Sequence, residues 1–391
     1  MKVNVSRQFY FLPILIILLF SGSMGQQKDI VGYFPSWKWR YKNSLMTYDK
    51  IPFKKLTIID YAFWHPLTDG TIAAINPKGD SLNLIGDGSK EMLVQVAHDN
   101  NVKVMLSVGG WEDSNNFPTV ASTAPLRTTF AHACIDAIRK FSFDGIDIDW
   151  EYPGYTDHNG TPADKINCTL LLSVLKDSLD AYGKEAGRKM LLSAALPASA
   201  EHLTGFEIDK LIPVLDMFNI MTYDYNGSWS SLSGHNSPLY ASTPEDTLHN
   251  IDASFKLFTD QLHVPASKIN LGVPFYGHSF AQCTSLNAHY RGSDTTLFPD
   301  DGLCYYDIVP YLGKYRHWDE RAKVPYLIIP DANTLVSFDD EESVALKAQY
   351  VLDHTARGVI IWEITGDYMP NGKTPLLDVL NEKLASSRTS Y

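Results

Sequence analysis

The 391-residue sequence predicts an α/β protein, a (β/α)8 TIM barrel with a small α+β insertion between strands seven and eight. Three observations predict it. Eight short apolar or β-branched runs recur along the chain, amphipathic stretches of helical period separate most of them, and the cadence breaks once, after the seventh run. Alternation of this kind means parallel strands joined by crossover helices, and eight repeats suggest a closed barrel. A doubly wound open sheet is the alternative, but no G-x-G-x-x-G opens the first helix.

The runs are Ile30 to Phe34, Leu56 to Phe63, Val102 to Val108, Gly145 to Trp150, Met190 to Leu196, Met217 to Met221, Ile269 to Phe275 and Val359 to Trp362. Between them, Ser89 to Asn100, Pro125 to Phe141, Ala163 to Ala186, Thr243 to His263 and Glu341 to His354 read as helices. From about Ser279 to Ser337 come short alternating segments without a long helical pattern. Residues 26–278 and 338–391 are therefore assigned to the barrel and 279–337 to the insertion. Barrel active sites lie at the strands' C-terminal ends, so the insertion is expected to wall one side of the site.

The N-terminus carries Lys2 and Arg7, an apolar stretch from Phe9 to Phe20 broken by Pro13, and then Ser21, Gly22, Ser23 and Gly25. That order describes a secretory signal peptide over 1–25. No later segment approaches ~18 consecutive apolar residues. The mature chain is expected to be a soluble monomer, extracellular or, in a bacterial host, periplasmic. A net charge of -12 argues against nucleic-acid and anionic-membrane partners, which need basic patches. Aromatics at 12%, with eight Trp, hint at a sugar groove, where flat ring faces stack on pyranose C–H surfaces.

Of the four cysteines, Cys283 and Cys304 fall in one irregular stretch and are expected to form a disulfide worth ~3 kcal/mol. Cys134 and Cys168 lie within apolar helical patterns and are either buried thiols or a bridge. None has metal-ligand spacing, and no cofactor is implied.

Chemistry concentrates in Asp144-Gly145-Ile146-Asp147-Ile148-Asp149-Trp150-Glu151. In a strand, Asp147, Asp149 and Glu151 share one face, ~6.6 Å apart in succession, while Ile146, Ile148 and Trp150 take the other. On a barrel the acid face points inward, with Glu151 at the C-terminal rim. A carboxylic acid among carboxylates, bordered by Trp150 and Tyr152, holds its proton towards neutral pH, as a general acid requires. Calcium binding is disfavoured, because the run lacks an EF-hand's flexible loop and mid-loop glycine. Asp144 has the opposite parity and is read as structural. Other strand ends supply matching parts: Ser107-Val108-Gly109-Gly110-Trp111, Met221 through Trp229, and Trp362.

The eight-residue run matches the D-x-x-D-x-D-x-E signature of glycoside hydrolase family 18, the chitinases and their relatives. Ser107 to Trp111 resembles that family's S-x-G-G strand, Met221 to Asp224 its M-x-Y-D strand, Gly272 to Gly277 its seventh strand, and Gly358 to Trp362 its last. The resemblance implies Glu151 as the acid that protonates the glycosidic oxygen, with the substrate's own 2-acetamido oxygen as nucleophile. It further implies that Asp149 holds the acetamido N–H, that Asp147 shares charge beneath it, and that Tyr223 donates to the acetamido oxygen. Asp224 would bind the sugar at the cleavage point and Trp362 would floor it. Tyr33, Phe63, Gly109, Gly110, Trp111, Tyr152 and Met221 are the expected groove contacts.

His278 departs from the Arg of many relatives, and no room remains for an appended carbohydrate-binding domain, so soluble oligomers are expected to outperform crystalline chitin. The implied function is a secreted, retaining chitinase acting on β-1,4 bonds of chitin or its oligomers. The alternatives are an endo-β-N-acetylglucosaminidase acting on N-glycans and a non-catalytic lectin; an intact Glu151 weighs against the lectin. Sequons at Asn159, Asn167 and Asn226 matter only in a eukaryotic secretory pathway, and Asn226 is expected to stay unused.

Overall fold

The computed structural model describes residues 28–38, 47–86, 88, 92–299 and 303–385. The proposed signal peptide lies outside the described residues. Seven parallel strands come first: β1 (Asp29–Pro35), β2 (Ile58–Pro66), β3 (Lys103–Gly109), β4 (Gly145–Asp149), β5 (Leu191–Pro197), β6 (Met217–Met221) and β7 (Ile269–Pro274). An antiparallel sheet follows, built from β8 (Tyr276–Ala281), β9 (Leu303–Cys304), β10 (Arg316–Asp319), β11 (Val324–Ile329) and β12 (Thr334–Ser337) in the order β9-β8-β12-β11-β10. The last barrel strand, β13 (Gly358–Trp362), pairs in parallel with both β7 and β1, and β1 pairs with β2, so the barrel closes. All eight predicted strands are present.

The outer helices are α1 (Leu93–Asp99), α2 (Ala124–Phe141), α3 (Asp164–Ala186), α4 (Ile251–Lys256), α6 (Glu341–Asp353) and α7 (Pro375–Ala385); α5 (Tyr305–Tyr315) lies in the sequence of the antiparallel sheet. Capping explains several starts. Asn250 accepts the Ala253 N–H at 2.9 Å, and Asp340 accepts the N–H groups of Glu342 and Ser343. The expected helix from Thr243 is corrected on this point. Its first seven residues are irregular bends, because the Thr243 hydroxyl accepts the Asp246 N–H and Asp246 accepts the His249 N–H, local bonds that compete with the helix. The helix begins only at the Asn250 cap and finishes as a π turn over Leu257–Gln261.

Alternation along the strands divides the apolar residues into two cores. Ile146, Ile148 and Trp150 join the large core between barrel and helices, where Trp150 stacks on Phe117 at 5.1 Å. Val31, Ile58, Met105, Leu191, Met217 and Ile360 fill the barrel interior. Above this apolar plug the interior turns polar, which is where the acid face of β4 emerges.

The expected Cys283–Cys304 disulfide is absent, and all four cysteines are free and buried. Register gives the reason. Cys304 lies opposite Tyr276 on β8, whereas Cys283 comes seven residues further along the chain, roughly 20 Å away at ~3.3 Å per residue. The Cys283 thiol instead donates to the Ser285 carbonyl at 3.1 Å. A thiol reagent added to the unreduced, denatured protein is expected to find all four cysteines, and a count lower by two would show a bridge.

Candidate active site

The polar interior is organised around Asp147. It accepts from the hydroxyls of Tyr33 (2.9 Å), Ser107 (2.7 Å) and Ser193 (2.6 Å) and from the Asn219 amide (3.3 Å). These donors stand on β1, β3, β5 and β6, so one carboxylate ties four strands together. Asn270 on β7 continues the network by donating to Asn219 at 2.9 Å. Burial pushes the Asp147 carboxyl up, and the four donors pull it back down.

Asp149 lies one step higher and is buried, with its Oδ1 lacking a hydrogen-bond partner among the described residues. Burial, then the charge of Glu151, then that of Asp147, hold its carboxyl well above the usual range. Glu151 follows two residues beyond the end of β4. Burial pushes it up to about 7; a bond from the Tyr152 side chain pulls it down, and the Asp224 charge pushes it up again. Among the described residues no lysine or arginine forms an ion pair with Asp147, Asp149 or Glu151, so the Asp149–Glu151 pair retains a proton near neutral pH. The Glu151 backbone is fixed as well. Its N–H donates to the Ser114 hydroxyl at 2.9 Å and its carbonyl accepts from His158 Nδ1 at 2.6 Å.

Gly109 and Gly110 have φ of +116° and +91°, and a Cβ would sit 2.1 Å from the Asp149 carbonyl oxygen and 2.7 Å from the Phe63 ring respectively. Only glycine allows β3 to close on both neighbours. Both residues therefore serve approach within the protein. Trp362, at the end of β13, stacks on Phe63 (5.6 Å, 15°) and meets Tyr33 edge-on at 5.5 Å. Trp111 is 46% exposed, and Tyr152 and Met221 are half-buried.

Tyr223 is buried beside this group, and burial followed by the Asp149 charge keeps its phenol neutral by raising it well above its ordinary value. Asp224 is exposed in a left-handed backbone conformation (φ +59°) and accepts from the Tyr276 hydroxyl at 2.6 Å; His278 Nε2 stands 2.7 Å away. Asp144 faces outward, bonded to Arg188, His98 and the Val104 N–H. All the candidate residues thus meet at one barrel mouth except the two cysteines, which form no part of it.

Several partners escaped the sequence reading. Ser193, Asn219 and Asn270 are inward polar residues in apolar strands, and strand parity alone could have flagged them. So could Asp60, fully buried inside β2 with neither carboxyl oxygen partnered among the described residues. His158 and Ser114 lie in loops and carried no such signal.

A proton-holding acid pair beside a neutral phenol, over an aromatic floor in a barrel mouth, is equipped to protonate a leaving oxygen. The family profile of glycosyl hydrolases family 18 matches residues 29–367. The chain belongs to this family. It is a glycoside hydrolase, 36% identical over 396 residues to chitinase A1 of Niallia circulans, covering 86% of this chain and 56% of that protein. It is 33% identical over 370 residues to chitinase 1 of Aphanocladium album, covering 90% and 85%. The chain thus spans little more than half the length of the first relative. Among solved structures, the Group IV chitinase of Ostrinia furnacalis superposes with a TM-score of 0.82 at 28% identity, over 92% of this chain and all of that one, and has also been solved with allosamidin.

Proposed function

We propose that this glycoside hydrolase is a secreted chitinase that cleaves β-1,4 bonds between N-acetylglucosamine units with retention of configuration. The observation that carries the reading is the division of labour among the three acids. Glu151 stands at the rim with its carboxyl pushed up to about 7, and protonates the glycosidic oxygen. Asp147 is held from four strands and is not free to attack a sugar carbon. Membership of the family assigns the nucleophile to the 2-acetamido oxygen of the substrate. Asp149, with one oxygen unpartnered, takes the acetamido N–H and stabilises the oxazolinium charge. Tyr223 donates to the acetamido oxygen and orients it. Trp362 floors the reacting sugar, and Asp224 binds it from the side that Tyr276 and His278 fix.

No helix among the described residues is long and apolar enough to cross a membrane. Export rests on the sequence of residues 1–25.

Chito-oligomers and an N-glycoprotein, incubated separately with the protein, test the reading. Early β-anomer from the oligomers is expected. Early α-anomer overturns retention, activity confined to the glycoprotein favours the endo-β-N-acetylglucosaminidase, and binding without turnover favours a lectin.

A pH profile adds a second test. The acid works only while protonated, so kcat/KM is expected to fall as pH rises through about 7, up to tenfold per unit. The Asp224 charge raises Glu151, so Asp224→Asn moves this alkaline limb to lower pH. An unmoved or upward-moved limb contradicts that assignment.

A further inference from the structure

Tyr223 and Asp224 lie just beyond β6, whose pairing with β5 and β7 ends at Met221, so no strand ladder holds these two residues. Asp224 also has a φ of +59°, a conformation that a residue with a Cβ keeps only where its surroundings fix it. What fixes it is the dipeptide Asn236-Ser237, further along the same loop. Asn236 Oδ1 accepts the Asp224 N–H at 2.8 Å, and its backbone carbonyl accepts the Tyr225 N–H at 3.1 Å. Its Nδ2 donates to the Tyr276 carbonyl at 3.3 Å, and Tyr276 is the residue whose hydroxyl donates to the Asp224 carboxylate. One amide thus reaches both the backbone of Asp224 and the partner of its carboxylate. Ser237 takes the other end of the turn, its hydroxyl donating to the Thr222 carbonyl at 2.6 Å.

The clamp is anchored on its far side. The Asn236 N–H donates to the Ser337 hydroxyl at the end of β12 (2.7 Å). Lys347 on α6 donates to the Ser237 hydroxyl (2.7 Å) and pairs with Asp339 (2.7 Å). All five of these side chains are buried. An amide is the side chain that fits at 236, because it offers an acceptor to Asp224 and a donor to Tyr276 at once; an acid lacks the donor and an aliphatic residue lacks both.

Asn236 has no exposed surface, so it does not touch a sugar, and its side chain acts only through the groups it holds. We propose that Asn236 is a positioning residue for the reaction, which sets the Asp224 carboxylate against the sugar at the cleavage point by holding the Asp224 backbone and Tyr276 together. The inference rests on the chitinase reading, which places Asp224 on that sugar, and adds to it the buried group that keeps Asp224 there.

A double-mutant cycle tests it, with kcat and KM for chitotetraose measured on wild type, Asn236→Ala, Asp224→Asn and the double variant. Asn236→Ala alone is expected to lower kcat about 10²-fold with KM within about threefold, as a shift of ~1 Å at a group on the reacting sugar does. In the Asp224→Asn background the same substitution is expected to cost less than about fivefold, because the charge that Asn236 places is already gone. Loss of folded protein lowers kcat by the same factor in both backgrounds. Equal factors, or an Asn236→Ala variant with wild-type kcat, therefore overturn the positioning role and leave the chitinase reading standing. Should Asn236→Ala not fold, Asn236→Ser goes through the same cycle under the same criterion. An Asp224→Asn variant with wild-type kcat removes Asp224 from the sugar and overturns the positioning role with it. A wild type that turns over no chito-oligomer overturns the chitinase reading itself.

Discussion

Glu151→Gln is expected to lower kcat on chito-oligomers by about 10²–10⁴-fold while leaving oligomer binding within a few-fold of wild type. The amide has the shape of the acid and can still bond to Tyr152, so the groove keeps its form. It has no proton to give to the leaving oxygen. Neighbouring carboxyls cannot take over: Asp147 is held by four donors below, and Asp149 is buried behind Glu151 on the same strand face. The effect should be largest with poor leaving groups such as a sugar and smaller with an activated aryl group, which departs without full protonation. Single-turnover rates and oligomer titrations on the same samples check both halves. Retention of more than a tenth of wild-type kcat on oligomers would remove Glu151 from the acid's role.

Asp60→Asn is expected to stabilise the protein at pH 7, and the gain should vanish near pH 3.8. Asp60 lies in the apolar strand Ile58-Ile59-Asp60-Tyr61-Ala62-Phe63, inside the barrel, with no hydrogen-bond partner for either oxygen among the described residues. Burial first, then the charges of Asp147 and Asp29, raise its carboxyl well above 3.8. The sign follows from proton linkage. Above pH 3.8 the unfolded chain releases this proton while the folded state keeps it, so folding loses about 1.4 kcal/mol per pH unit until the folded value is reached. Asn carries no such proton. Its amide brings one more donor than the acid, which costs about 1 kcal/mol if unmet, so a net gain of roughly 1–3 kcal/mol remains at pH 7. Denaturant melts at pH 7 and pH 4 give the two values. Equal shifts at both pH values would mean that Asp60 is not held protonated.

The two residues differ in how visible they were. Glu151 stands in a run whose period alone places three acids on one face, and that period is a local property of any strand. Asp60 has the same parity inside its own strand, so parity could have flagged it as an inward acid, but its place beneath Asp147 and its lack of a partner among the described residues appear only once the barrel closes. The cysteine pair shows the opposite failure. Sequence separation made a bridge between Cys283 and Cys304 reasonable, but the antiparallel register of β9 on β8 carries the two apart. The helix expected from Thr243 failed for a local reason, side chains of Thr243 and Asp246 taking the N–H groups that a helix would have used.

What the sequence determined alone was whatever depends on near neighbours: the eight strands, most of the helices between them, the acid face of β4, and the family signature. Tertiary structure decided the rest, because it depends on which distant atoms meet when the barrel closes. Closure gives Asp147 its donors from four strands and leaves Asp60 without a hydrogen-bond partner among the described residues. It also removes enough water from Glu151 to keep its proton near neutral pH, and it brings the rings of His158 and His202 against Tyr155 from two separate loops.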